Sequence, residues 1–136
     1  MTNTFKLALP SAGNDPDDWD ILSEIMVSFE PDWEFDKYSG SVDLDDGSVK
    51  GTGLPAASWH VNGLREEDRS VLRTYCPEEQ ISSDVFVMTP TNETDGSGDI
   101  VWIAAAAQMR WVSRREEKDQ GVTLGFDLEF SMMVAV

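Results

Sequence analysis

The stretch that most constrains this chain is GVTLGFDLEFSMMVAV, residues 121 to 136. Apolar side chains fall at Val122, Leu124, Phe126, Leu128, Phe130, Met132, Val134 and Val136, every second position. The places between hold Thr123, Gly125, Asp127, Glu129, Ser131, Met133 and Ala135. A period of two marks a strand with one buried face. Fifteen residues at about 3.4 Å each would run roughly 50 Å, whereas strands usually have about five or six residues.

A second alternation precedes it. In IVWIAAAAQMRWVSR, Val101, Ile103, Ala105, Ala107, Met109 and Trp111 keep the odd positions. Local propensity of the four consecutive alanines favours a helix. The alternation persists for eleven residues, Val101 to Trp111, and predicts a strand. The charged SRREEKDQG at 113–121 then joins the two strands as a long antiparallel hairpin.

Shorter elements follow the same logic. LPAASWHVNG at 54–63 predicts a strand with Trp59 and Val61 on one side. SSDVFVMT at 82–89 predicts another, followed by a turn over PTNETDGSGD. SGSVDLDDGSVKGTG at 39–53 predicts a hairpin turning near Asp46 and Gly47. Around Ile25, Val27 and Phe29 the odd positions are apolar, which predicts a strand that Pro31 bends. In LREEDRSVLRTYC the period changes: Leu64, Asp68, Val71, Leu72 and Tyr75 make one mainly apolar helical face. Asn62 is placed to cap that helix, and Pro77 to stop it. The expected architecture is one domain over residues 1–136: mainly β, an antiparallel β-sandwich or open barrel with one packed α-helix and a long C-terminal β-hairpin. Residues 1–20 read as an extended N-terminal arm or loop, turn-rich and acidic at NDPDDWD. Two strands of this length exceed what so small a core can cover, so part of their apolar face is expected to need a partner.

Charge narrows the function. Twenty-six acids against ten bases leave a net −16, and residues 14–46 hold twelve acids and one base, Lys37. Such a surface has no basic footprint for nucleic acid or anionic membranes. No run approaches the roughly 18 apolar residues of a membrane helix, and MTNTFKLALP has no signal-peptide pattern. The expectation is a protein made in a cytoplasm.

Catalytic and metal chemistry find little support. One cysteine, Cys76, and one histidine, His60, leave only carboxylates for a zinc site. Counting from Asp43, the calcium-loop pattern fails, because Gly47, Ser48 and Leu54 fall at its fifth, sixth and twelfth places. No nucleophile elbow or phosphate-binding glycine loop is present. Asp32 and Glu34 beside Trp33 are the best carboxylate pair for hydrolysis, but a strand alternating core Trp with solvated acids explains them better. No catalytic, metal or cofactor residue is therefore assigned. The five tryptophans (19, 33, 59, 102 and 111) leave open a sugar-stacking platform, as in carbohydrate- or receptor-binding β-sandwiches.

The run LPAASWHVNGLREEDRSVLRTYCPEEQISSDVFVMTPTNE has a familiar layout. A strand with a Trp leads through Gly-Leu to a helix ending in Leu-Arg-Thr-Tyr-Cys-Pro, then to a strand entering Thr-Pro-Thr-Asn. With the closing hairpin, residues 54–136 resemble the tail tube (major tail) proteins of tailed bacteriophages and their terminator, distal-tail and head–tail connector relatives. The resemblance implies a non-enzymatic virion protein whose subunits form rings, usually hexameric, that stack into a tube. It implies contacts with copies of itself and with tape measure, terminator and distal-tail proteins. An acidic lumen then passes DNA without binding it. Carried onto this sequence, Asp127, Glu129 and Gln108 are the expected lumen-facing residues, with Arg110 beside them as a departure from an acidic lining. Phe126, Leu128, Phe130, Trp111 and Trp59 are expected in the core or a subunit interface.

Overall fold

The computed structural model describes residues 4–26, 29, 31–61, 64–78, 81–113, 118–119, 122–123 and 126–136. The fold is mainly β and antiparallel, with an open, curled main sheet and one helix of two turns. The strands are β1 (Lys6–Ala8), β2 (Asp20–Ile21), β3 (Asp32–Asp36), β4 (Gly40–Asp43), β5 (Val49–Thr52) and β6 (Ala56–Val61). They continue with β7 (Leu64–Arg65), β8 (Ser83–Thr94), β9 (Ile100–Ser113), β10 (Lys118–Asp119), β11 (Val122–Thr123) and β12 (Phe126–Ala135). Two helices, α1 (Leu22–Ile25) and α2 (Glu66–Arg73), interrupt them.

The main sheet runs in the order β2-β1-β8-β9-β12-β6-β3. The expected hairpin of β9 and β12 is its centre, with Phe126 opposite Ser113 and Phe130 opposite Met109. On its other side β12 pairs with β6, Leu128 facing Trp59. The odd residues of β9 and the even residues of β12 up to Phe130 point into one core, where Trp59, Trp111, Phe126, Leu128, Phe130 and Met109 are at most 1% exposed. These side chains are thus interior to a single chain, not an interface between chains. Their rings interlock: Trp111 stacks on Phe126 at 4.1 Å, and Phe130 meets Trp59 edge-on at 4.6 Å. The Trp59 indole donates to Thr89 Oγ1 at 2.9 Å, which satisfies a polar atom that burial would otherwise penalise.

The sheet curls enough to bring its β3 edge across to β8. Asn92 donates its side-chain amide to the Phe35 carbonyl, and Lys37 reaches Glu93 at 3.1 Å. Helix α2 covers one end of the core with Leu72, followed by Tyr75 and Cys76. The guanidinium groups of Arg69 and Arg73 each lie 5.4 Å from the Trp111 ring, so cations cap the stacked Trp111–Phe126 pair. This helix is shorter than the sequence predicts: Leu64 belongs to β7, and Asn62, the expected cap, lies outside the described residues.

Three further differences have physical causes. The segment expected as a strand near Ile25 is the single turn α1, which places Leu22 and Met26, four apart, into the core and leaves Ile25 42% exposed. Strand β8 does not stop before Pro90. It runs to Thr94 past a register shift between Pro90 and Thr94, an irregularity that tolerates the missing proline N–H. Residues 4–20 are no extended arm: β1 lies inside the sheet, and two 3₁₀ turns, Pro10–Ala12 and Pro16–Asp18, lead Trp19 back over the outer face. There Trp19 stacks on Phe86 at 5.2 Å and builds a second, small cluster with Ala8 and Met88.

The closing strand itself breaks. Residues 122–123 pair with β7 and β10 in a separate three-stranded sheet. Within β12 a register shift falls between Ser131 and Val134, where Met132 adopts φ 54°. Such a bulge adds a residue and reverses the alternation beyond it. Met133, expected on the polar side, is 1% exposed. Met132, Val134 and Val136, which unbroken alternation would keep on the same face as Phe130, are 63%, 54% and 51% exposed.

Candidate functional site

The outer face of β3, β6, β12 and β9 collects the polar partners of the core residues. On β3, Trp33 and Phe35 turn inward while Asp32, Glu34 and Asp36 stay exposed. In register across the sheet, Asp32 faces His60 and His60 faces Asp127, while Glu34 faces Ser58 and Ser58 faces Glu129. Glu129 then faces Arg110, and Ser131 faces Gln108, which faces Asp84. All three residues expected on a channel-facing surface, Asp127, Glu129 and Gln108, are brought onto this one face, with Arg110 beside them.

Specific contacts tie the strands together. His60 Nδ1 lies 2.7 Å from Asp127 Oδ1, and its Nε2 lies 3.5 Å from Glu34 Oε2. The hydrogen bond to Asp127 holds the imidazole pKa above its ordinary value, against the opposing effect of partial burial, and Glu34 adds to the rise. A ring engaged by carboxylates at both nitrogens favours the charged form. The ring thus links β3, β6 and β12 through the two carboxylates beside it. Arg110 Nη2 donates to Glu129 Oε1 at 2.5 Å, and Gln108 donates to Asp84. A shallow depression of about 220 Å³ lies between Glu34, Asp36, Ser58, Glu129 and Ser131.

Two further acids close turns. Asp46 accepts from the Ser48 amide at 2.9 Å and Asp95 from the Ser97 amide at 2.8 Å, each closing a hairpin turn. Both carboxyls are held below their ordinary pKa by these turn hydrogen bonds, the serine hydroxyls foremost. Asp43 ends β4 and Asp46 lies in the turn after it, and among the described residues no His, Cys, Asp or Glu group is arranged to hold a metal ion. Cys76 is buried beneath β9, its Sγ 3.6 Å from the Met109 carbonyl. No described helix is long and apolar enough to cross a membrane.

The tryptophans do not make a platform. Trp59 and Trp111 are fully enclosed, Trp19 is buried, and Trp33 and Trp102 are half-buried against the two clusters. No family model matches the chain, and no curated protein or solved structure matches it either. The functional reading thus rests on the face itself. Sequence reasoning missed Glu34, Ser58 and His60 as its members. Their signal was parity: on β3 and β6 they occupy the even positions, opposite the core-facing Trp33, Phe35, Ala57 and Trp59.

Proposed function

We propose that this chain is a structural subunit of a bacteriophage tail tube. In this reading its curled sheet builds the wall and the face of Glu34, Asp127, Glu129 and Gln108 lines the DNA channel. The observation that carries it is that face: carboxylates from β3 and from β12 share one open surface, and its two basic side chains, His60 and Arg110, each lie against carboxylates. A wall of that kind repels phosphate at every step and offers no free cation to grip it. DNA would slide past without a bound state. Copies of the chain would be the main partners, in rings, with tape measure, terminator and distal-tail proteins at the ends of the stack. The terminator, distal-tail or connector role uses the same surface chemistry and differs in where the ring sits. A virion location follows from either role.

Negative-stain microscopy of the purified protein tests this. Rings or tubes about 100 Å wide are expected, on the order of a few strand lengths. A protein that stays monomeric at every attainable concentration would overturn the proposal.

A further inference from the structure

The alternation reversal in β12 creates a surface that the core does not need. Beyond Ala56, strand β6 leaves β12, so Ser131–Val136 pair only with β9 on one side. On the other side the one backbone bond is Met133 N–H to the Pro55 carbonyl at 3.2 Å. In register, Val134 faces Ala106 and Ala106 faces Phe86. The Val136 amide likewise donates to the Ala104 carbonyl, and Ala104 faces Met88. Ala106 therefore floors a trough walled by Phe86 and Pro10 on one side and by Met132 and Val134 on the other, with Gln108, which donates to Asp84, at one end. Its volume is about 300 Å³, and Asp84 stands at its mouth. Met132 holds a left-handed conformation there, which is unfavourable for a residue other than glycine. An apolar edge strand of this kind is a template for another strand.

The same chain exposes a candidate occupant. The β3–β6 ribbon continues past a bend at Gly53 (φ 84°) into the β4–β5 hairpin, whose residues are exposed apart from half-buried Gly51. Gly51 has no room for a side chain because the Tyr38 ring lies over it. A lone two-stranded ribbon is marginal in water. Residues directly opposite share a face, so Val42 and Lys50 point the same way, and Leu44 joins them by parity. Val42 and Leu44 are 48% and 44% exposed, and among the described residues Lys50 has no ion-pair partner. Two valine- or leucine-sized side chains beside one free cation complement an apolar trough beside one carboxylate, in a protein otherwise overwhelmingly acidic. Within one chain both surfaces stay open.

We infer that the β4–β5 hairpin of one copy docks in the β12–β9–β8 trough of the next, Val42 and Leu44 filling it and Lys50 pairing with Asp84. The contact is heterologous, joining two different patches, and such contacts close into rings or extend into filaments. The inference rests on the self-assembly reading and names its contact.

Sedimentation across a dilution series tests it with Leu44→Asp on the hairpin, Val134→Lys in the trough and Lys50→Glu, circular dichroism confirming each fold. Each single variant should weaken self-association at least tenfold. Leu44→Asp mixed with Val134→Lys should give a dimer that grows no further, because each partner keeps one intact patch. Lys50→Glu combined with Asp84→Lys should recover association. Assembly of wild type and variants alike would overturn this contact while leaving the tail tube reading standing. Open filaments lost in the variants would support the contact and remove the ring. A monomeric wild type would remove both.

Discussion

Substituting alanine at Met132 and Met133 in turn should produce opposite results from those the sequence pattern alone implies. By strict alternation Met132 belongs to the core and Met133 to solvent; the bulge makes Met133 1% exposed and Met132 63% exposed. Removing a buried methionine side chain costs about 2–5 kcal/mol, and Met133 sits toward the end of the core, which suggests about 3. An exposed side chain typically changes stability by about 0.5 kcal/mol or less. Equilibrium urea unfolding, followed by tryptophan fluorescence, reads the difference in dilute solution. With a slope of about 2 kcal/mol/M, Met133→Ala should lower the midpoint by about 1.5 M and Met132→Ala by no more than about 0.25 M. Met132→Gly should raise stability by about 0.5–1 kcal/mol, because glycine accepts the positive φ. A larger loss from Met132→Ala than from Met133→Ala would mean that β12 runs without a bulge, and the exposed trough would vanish with it.

His60 gives a pH signature. Its folded pKa is raised, so the link contributes fully below about 6.5, the unfolded value, and is lost as pH rises through the higher native pKa. Urea midpoints should therefore fall over that window, and His60→Gln should flatten the step. The two enclosed indoles should respond differently to phenylalanine. Trp59→Phe strips Thr89 of its donor and should cost about 1–3 kcal/mol more than Trp111→Phe, whose buried Nε1 has no hydrogen-bond partner among the described residues. Calorimetry of both variants measures the gap. Phe130→Asp places a charge in a 1% exposed site and should abolish folding and assembly, whereas Glu129→Gln should leave both intact by circular dichroism and microscopy. Normal assembly of Phe130→Asp would refute the assignment of the inner face.

Where one face is dry and the other wet, the sequence was legible. The odd residues of β9, the run from Phe126 to Phe130, and Trp59 with Val61 all mark the core, and the face of Asp127, Glu129 and Gln108 follows by parity. The alanine run could be read as a strand because alternation outweighed helical propensity. It carried no hint that Ala104 packs on the outer cluster and Ala106 floors a trough while Ala105 and Ala107 fill the core, since all four are the same residue. The bulge was illegible for a related reason: Ser-Met-Met-Val offers an apolar side chain at each of the last three places, so both registers look acceptable. Glu34 joining His60 was also hidden, because strand neighbours distant in sequence are set by topology.

The position of β12 has a consequence for how the chain reaches this state. The strand between β9 and β6 comes after every other strand in the sequence, and its partners β6 and β9 pair with each other nowhere along the described residues. Until Phe126–Ala135 insert, two half-sheets exist, each presenting a long unpaired edge and an uncovered apolar face. Pairings this far apart in sequence pay loop-closure entropy before they gain contacts, so insertion is expected to be slow. During that interval the nascent protein is at its most vulnerable to misassociation. The strong negative charge of the segment carrying β3 would then keep half-formed copies apart, so that the carboxylates of the outer face would also serve solubility in transit.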